Sequence, residues 1–189
     1  EFNMYQQITY TGKRSPFFMH LKMGADENGK IKALETDWSV DHGPYCEFGD
    51  LVTTRGSQFM GAGYRIDNIR GQGRTVATNH AWGSAFRGYG SPQSLFASEV
   101  LVDELAAKMG IDPLEFRYNN VYREGDTTPT GCAPDVIVLP QMLDTIRPYY
   151  KKAKEAAKEK NRTSVDKKYG AGISLLIYGC GLDGPDTSE

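Results

Sequence analysis

One segment of this chain constrains its fold more than any other, and it reads Ser84-Ala-Phe-Arg-Gly-Tyr-Gly-Ser-Pro-Gln93. It sets Arg87 and Tyr89 beside two glycines, directly before a strong helix-start signal. Glycine lets the main chain approach a bulky group and adopt backbone angles that other residues avoid. An arginine there can donate two parallel hydrogen bonds to an anionic or sulfur-rich group. From its residues alone the segment, with its loop at 84–92, is equally compatible with a ligand-binding loop and with a simpler turn before the helix, in which Arg87 forms a surface salt bridge.

The helix-start signal opens a helical part that we predict over residues 92–160. Ser91 is the predicted N-cap, Pro92 the first helical residue and Gly110 the stop. Between them, apolar residues recur at steps of three and four, which predicts one buried face. These are Leu95, Val102, Leu105 and Met109.

Two further helices complete this part of the prediction. One begins at Asp112-Pro113 and ends near Gly125. The other covers about 140–160, and Pro148 is expected to kink or break it. Its alanine-rich end alternates in charge, which indicates a solvated face.

The first 80 residues are predicted to be rich in strands. Alternation of apolar and polar residues predicts four strands: 7–10, 17–23, 31–40 and 69–79. Asn28-Gly29 predicts a hairpin that pairs the second and third strands in antiparallel fashion. The connection 42–63 has no clear period and is predicted to be a packed loop that lines a pocket. With a final strand at 169–178, the pattern predicts an α+β fold of antiparallel strands, then helices, then one strand.

Composition bounds the classes of function. With 189 residues, of which 39% are apolar, the chain can bury a sizeable core. Its 22 basic and 24 acidic residues leave a net charge of -2, so it lacks the electrostatic footprint of a nucleic-acid-binding protein. No apolar run approaches the roughly 20 residues of a membrane helix. We therefore expect neither nucleic acid nor membrane as a partner.

The cysteines indicate the compartment. Cys46, Cys132 and Cys180 are widely spaced and form no Cys-x-x-Cys pair, which argues against a disulfide framework or a structural zinc site. We expect buried thiols in a reducing compartment. The expected localisation is cytoplasmic, and the periplasm stays an open alternative.

Other patterns that suggest a ligand have simpler interpretations. The glycine pairs at 61–63 and 71–73 lack the third glycine of a dinucleotide-binding turn, so we interpret them as turn glycines. The histidines His20, His42 and His80 are too scattered to predict a metal site, and structural roles are favoured.

Two pairs of carboxylates are candidates for acid–base chemistry. Glu35 and Asp37 alternate with apolar residues on a strand and are expected to face water. Glu47 and Asp50 lie in the connection 42–63 and have no obvious partner. Neither pair is specific, so no residue of this segment is predicted to be catalytic.

Several motifs in one order resemble the molybdenum-binding part of the xanthine oxidase family of molybdenum hydroxylases. They are the stretches 11–17, 41–45, 69–79, 85–93, 112–120 and 123–126. Within that family, the Arg-Gly-Tyr version of the loop is similar to bacterial aldehyde oxidoreductases of the Desulfovibrio type. The resemblance covers nearly the whole chain.

The resemblance implies a cofactor site at the loop. Arg87 and Gly88, with Phe86 and Tyr89 beside them as further cofactor-binding residues, would lie against the dithiolene end of a molybdopterin cytosine dinucleotide that carries molybdenum. Relatives that oxidise carbon monoxide have a cysteine where this chain has Gly88, so a copper–molybdenum centre is not expected.

The resemblance also implies a substrate pocket. Tyr89 would form its wall, and Phe48 and Leu51 match positions that line the substrate tunnel. Arg55 matches the place where purine-oxidising relatives keep a substrate-orienting arginine, although its neighbours here differ.

The resemblance implies further parts of the enzyme that these residues do not contain. The glutamate base, the main pterin-binding loops and the [2Fe-2S] clusters are expected elsewhere in the enzyme. Residues 1–189 are thus expected to be an internal fragment of the large molybdopterin-binding domain. Its expected partners are the remaining domains or chains of the same enzyme and a small aldehyde, and the complete enzyme is expected to be a homodimer.

The sequence leaves three functions open. The leading hypothesis is oxidation of aldehydes to carboxylic acids with water as the oxygen source. A hydroxylase of xanthine or another N-heterocycle is the enzymatic alternative, and Arg55 is its support. A non-catalytic structural role for the isolated piece is the third.

Overall fold

The structure, a computed structural model, describes residues 1–45, 47–131, 133–134 and 136–178. The prediction of buried thiols falls on Cys46, Cys132 and Cys180, which lie outside these residues. Within the described ranges, no helix combines the length and the apolar character needed to cross a membrane.

The described residues form five helices and one three-stranded sheet. The helices are α1 (Met4–Tyr10), α2 (Gly49–Gln58), α3 (Ser91–Met109), α4 (Pro113–Asn120) and α5 (Leu139–Thr163). The strands are β1 (Phe17–Ala25), β2 (Ile31–Gly43) and β3 (Asn68–Ala77), in the order β1-β2-β3. This arrangement confirms the predicted α+β class.

The sheet is mixed rather than wholly antiparallel. β1 and β2 form the predicted hairpin, and Gly29 takes the positive φ of 77° that its turn requires. β3 instead runs parallel to β2, with Gly73 opposite Trp38. The chain reaches β3 through α2, and such a crossover is what a parallel pair needs.

The glycines at 71–73 are strand residues, which corrects the turn prediction. A Cβ on Gly73 would lie 2.7 Å from the Trp38 ring, and one on Gly71 would lie 2.3 Å from Thr36 Oγ1. These glycines leave room for side chains of β2 to lie flat across β3. The glycines at 61–63 do lie in a turn, after α2.

Two apolar clusters form the core. The larger joins α3, α4 and α5 to residues 169–178, which we call the end segment. The smaller packs Leu34, Trp38 and Val40 of β2 against Met60. The predicted face of α3 is confirmed, because Leu95 and Val102 are fully buried and the other two members pack against the cluster. The sheet and α3 thus form the platform on which the loop 84–90 rests.

The predicted strand at 7–10 is wrong, since these residues belong to α1. Asn3 and Gln6 form a reciprocal capping box at its start, with hydrogen bonds of 2.9 Å in both directions. The helix buries no residue. A local cap therefore outweighs a short period-two pattern here.

Sequence reasoning also missed α2, which lies inside the connection predicted to be a loop. Its buried face holds Val52, Thr53, Arg55 and Gly56 rather than an apolar stripe. Gly56 is needed there, because a Cβ would lie 2.5 Å from the Trp38 ring. A helix that packs through a glycine and polar residues has no helical period of hydrophobicity for a sequence pattern to detect.

The ends of the long helices differ in detail from their predictions. Gly90, not Ser91, is the N-cap of α3, with a φ of 99° and no side-chain cap bond. The helix ends at Gly110 as predicted. α5 continues through Pro148 rather than breaking there. Leu143, before the proline, and Tyr150, after it, are both buried in the core.

The predicted final strand at 169–178 forms no ladder among the described residues. Its side chains do alternate between buried and exposed, as the sequence pattern indicates, and Leu175 is buried. The backbone is held instead by a side chain, because the Leu175 amide donates a 2.9 Å hydrogen bond to Glu99 Oε2. The alternating sequence pattern therefore predicts correctly which side chains are more buried, but it does not predict whether the segment pairs with another strand.

Candidate functional site

The loop before α3 is a tight, left-handed turn. The Tyr89 amide donates to the Phe86 carbonyl at 2.7 Å, and the Ser91 amide donates to the Gly88 carbonyl at 3.0 Å. Gly88, Tyr89 and Gly90 have φ values of 90°, 52° and 99°. A non-glycine residue with positive φ is uncommon and costs free energy, and such strain concentrates at functional sites.

The loop packs closely against α2. A Cβ on Gly90 would lie 2.3 Å from the Val52 carbonyl oxygen, which is backbone and cannot rotate away. A Cβ on Gly88 would lie 2.5 Å from the Pro92 ring. Both glycines are therefore required by contact as well as by φ, because Gly88 packs against Pro92 and Gly90 packs against the backbone of α2.

Arg87 lies at the outer edge of this turn. Its side chain is exposed and makes no hydrogen bond or ion pair within the described part of the chain. The simpler interpretation, a surface salt bridge, is thus not observed. Phe86 beside it is 49% exposed. The loop thus carries an exposed aromatic ring and an exposed guanidinium directly before the half-buried Gly88.

Two predicted pocket residues meet beside the loop. The rings of Phe48 and Tyr89 lie 6.2 Å apart, centroid to centroid, at an angle of 59°. Leu51, one helical turn further along α2, is 44% exposed. Loop and helix together form an apolar wall with a phenol in it.

Electrostatics keeps that phenol protonated. Burial raises the pKa of Tyr89, and the carboxylates of Asp50 and Glu47 raise it further because they disfavour a nearby phenolate. At neutral pH the hydroxyl is therefore a hydrogen-bond donor.

Arg55 lies in the core rather than on the apolar wall. It is 6% exposed, and its guanidinium carbon lies 5.1 Å from the centroids of both the Phe59 and Tyr178 rings. Its Nη1 donates to Gln58 Oε1 at 3.1 Å. Cation–π contacts of this kind fasten α2 to the end segment.

The buried residues Ser15 and His42 form a polar pair beneath the loop, which is a structural role of the kind predicted for His42. Ser15 Oγ and His42 Nδ1 form a buried hydrogen bond of 2.9 Å, and the Gly83 amide donates to the His42 carbonyl at 3.0 Å. Burial lowers the pKa of His42. His20 and His80 are exposed, and His80 pairs with Asp41.

The carboxylate pairs stay outside any catalytic arrangement. Glu35 and Asp37 are exposed on β2, as predicted, and Asp37 accepts a 2.6 Å hydrogen bond from Arg74. Glu47 accepts one of 2.7 Å from Ser84 Oγ at the base of the loop. Across the described residues, no group of His, Cys, Asp and Glu side chains has the geometry to hold a metal ion.

Sequence reasoning also missed Arg14. Its Nη2 donates to the Arg87 carbonyl at 2.6 Å, and its guanidinium lies 4.7 Å from the Phe86 ring centroid. The available signal was the stretch 11–17, which is part of the family resemblance without any assigned side-chain role.

Comparison with known proteins gives one family match and close relatives. Residues 1–121 match the molybdopterin cofactor-binding domain family. The chain is 63% identical over 188 residues to an aldehyde oxidoreductase of Megalodesulfovibrio gigas, which covers 100% of this chain and 20% of that protein. It is 33% identical over 126 residues to the large molybdopterin subunit of a nicotinate dehydrogenase of Eubacterium barkeri, covering 67% of this chain and 30% of that subunit.

The fold agrees with a solved relative. The crystal structure of the aldehyde oxidoreductase of Desulfovibrio desulfuricans ATCC 27774 superposes with a TM-score of 0.93 and 62% identity, covering 98% of this chain and 20% of that one. The chain thus spans about a fifth of the length of the aldehyde oxidoreductases that it matches.

Proposed function

The chain belongs to the molybdopterin cofactor-binding domain family, and from this premise we propose that it forms one wall of the site of a molybdenum-dependent aldehyde oxidoreductase. The proposed reaction converts an aldehyde to a carboxylic acid with water as the source of oxygen. The observation that carries the proposal is the exposed Arg87 side chain on the same loop as Tyr89, whose ring pairs with that of Phe48.

The loop fits the cofactor that the family implies. Arg87 has an exposed fork of N–H donors, and Gly88, whose Cβ would meet the Pro92 ring, keeps the turn beside it tight. We assign Arg87, Gly88 and Phe86 to the molybdenum–molybdopterin group. When bound, that group supplies the redox chemistry that protein side chains lack.

The apolar wall fits a small carbonyl substrate. Phe48, Leu51 and Tyr89 exclude water from one side and offer a single hydrogen-bond donor, the Tyr89 hydroxyl. A donor aimed at a carbonyl oxygen orients it and stabilises negative charge that develops there. The residues of this chain therefore bind and orient, and the catalytic base is proposed to lie in another part of the enzyme.

Further features of the complete enzyme are proposals of the same kind. They are the cytosine dinucleotide form of the cofactor, [2Fe-2S] clusters that carry electrons away, assembly as a homodimer and a cytoplasmic location. The proposed partners are the remaining domains of the same enzyme, because the relatives are about five times as long as this chain.

The alternative of an N-heterocycle hydroxylase rested on Arg55. The contacts of that side chain with Phe59 and Tyr178 supply a structural role for it. The chain is 63% identical to an aldehyde oxidoreductase, and this likeness supports the aldehyde reaction as the function that we retain.

The test is Arg87→Ala in the complete enzyme. A hydrogen-bonded fork to an anionic or sulfur group is worth about 1.5–3 kcal/mol, so bound molybdenum or turnover should fall about tenfold or more. Arg162→Ala is a matched control, because Arg162 is an exposed arginine on α5 whose one ion-pair partner among the described residues is Glu159. Normal molybdenum content together with normal turnover in Arg87→Ala would contradict the assignment.

A further inference from the structure

We infer that Arg14 is a positioning residue, which holds the main chain of the cofactor loop so that Arg87 and Gly88 present their ligand-binding groups. The inference rests on the proposed function. It concerns a residue outside the loop, 73 positions before Arg87 in the chain.

Arg14 binds the loop at Arg87, the residue proposed to contact the cofactor. Its Nη2 donates a 2.6 Å hydrogen bond to the carbonyl of Arg87, the residue directly before the left-handed turn. Its guanidinium also stacks over the Phe86 ring at 4.7 Å. The carbonyl of Arg87 and the ring of Phe86 are therefore fixed by one planar group, while the Arg87 side chain stays exposed.

The short segment that contains Arg14, residues 13–15, is hydrogen-bonded to both ends of the loop. On one side the Lys13 amide donates to the Trp82 carbonyl and the Ser84 amide donates to the Lys13 carbonyl, each at 3.1 Å. On the other side Gln93 Nε2 donates to the Ser15 carbonyl at 3.0 Å, and Arg14 Nη1 donates to Gln93 Oε1 at 3.4 Å. Segment 13–15 thus spans the loop from its first residue to the first turn of α3.

The chemistry requires arginine at this position. A guanidinium can bond a carbonyl with one nitrogen, a side-chain amide with another and an aromatic ring with its face at the same time. A lysine ammonium is a point charge without a planar face, so it can replace one of these contacts but not all three. Tyr89 has a φ of 52°, a backbone conformation that a tyrosine does not favour. The turn therefore needs support from contacts outside the loop.

The experiment compares Arg14→Ala and Arg14→Lys with Arg87→Ala and the surface control Arg162→Ala, all in the complete enzyme. One readout is hydrogen exchange, without bound cofactor, at the Tyr89 and Ser91 amides, which close the two turns of the loop. The other readout is molybdenum content. Thermal unfolding of each variant monitors global stability.

We expect Arg14→Ala to speed exchange at these two amides by about tenfold, the value of one charge-assisted hydrogen bond, with no change in the amides of α4 and α5. Molybdenum content should fall, and Arg14→Lys should restore neither quantity fully. Arg87→Ala should lose molybdenum with normal exchange, because it leaves the main chain of the loop in place.

The outcomes separate the two claims. Unchanged loop exchange in Arg14→Ala, exchange that rises throughout the protein, or full rescue by Arg14→Lys would each overturn the positioning role. Full molybdenum content together with normal turnover in Arg87→Ala would instead overturn the proposed function, while the exchange data, taken without cofactor, would still judge Arg14.

Discussion

Substitution of Gly90 by alanine perturbs the contact that joins the cofactor loop to α2. Gly90 has a φ of 99°, and its Cβ would lie 2.3 Å from the Val52 carbonyl oxygen and 3.3 Å from the Gly56 amide nitrogen. Both neighbours are backbone of α2. The added methyl group therefore has to push the loop and the helix apart.

The expected effect has two parts. An L-residue in left-handed backbone costs about 1–2 kcal/mol. Forcing a methyl group into a closely packed contact costs about 1–3 kcal/mol more. Gly110→Ala isolates the first part, because Gly110 caps the other end of α3 at a φ of 67° and has no neighbour within 4 Å of its Cβ position.

The assay is urea denaturation of the chain, followed by the fluorescence of its two tryptophans. Gly110→Ala should lower the free energy of unfolding by about 1–2 kcal/mol, and Gly90→Ala by about 2–5 kcal/mol. In the complete enzyme only Gly90→Ala should also lower turnover, because pushing the loop away from α2 separates the rings of Tyr89 and Phe48. If the two variants lose equal stability, the close contact between loop and α2 is refuted.

Three further predictions concern the pocket wall, the buried ion pair and His42. Tyr89→Ala in the complete enzyme should change the relative kcat/KM for small and large aldehydes while molybdenum stays bound, and an equal loss for every aldehyde would count against a pocket wall. Glu99→Gln should lower the free energy of unfolding by about 3–5 kcal/mol, because it leaves the fully buried Arg117 with one exposed carboxylate partner. Asp103→Asn, which removes that exposed partner, should cost about 1 kcal/mol or less, and similar losses in the two variants would contradict the buried role of Glu99. Burial lowers the pKa of His42, so the unfolded chain takes up its proton first as the pH falls and stability should decline below about pH 6.5. His42→Gln should flatten that decline in pH-dependent denaturation, and an unchanged slope would exclude His42 as its source.

Short sequence patterns predicted those parts of the fold that depend on residues close together in the chain. Asn28-Gly29 specifies a hairpin turn because its backbone angles are accessible to these residues. The apolar spacing of α3 and its stop at Gly110 specify a helix and its buried face. The antiparallel pairing of β1 and β2 and the core position of Leu95 and Val102 followed from these signals.

Long-range contacts decided what the sequence did not reveal. α2 forms because Gly56 and its polar neighbours fit against Trp38, and β3 runs parallel to β2 because α2 returns the chain. The loop at Arg87 was found from its own residues and the family resemblance. Arg14 was not, because a contact across 73 positions leaves no trace in local pattern.

The most direct test of the central claim is the molybdenum and iron content of the native particle that contains this chain. The account predicts molybdenum in an equimolar ratio to the chain, with several irons for each molybdenum. A native, active particle that contains no molybdenum would contradict the assignment of the Arg87–Gly88 edge to a molybdopterin cofactor.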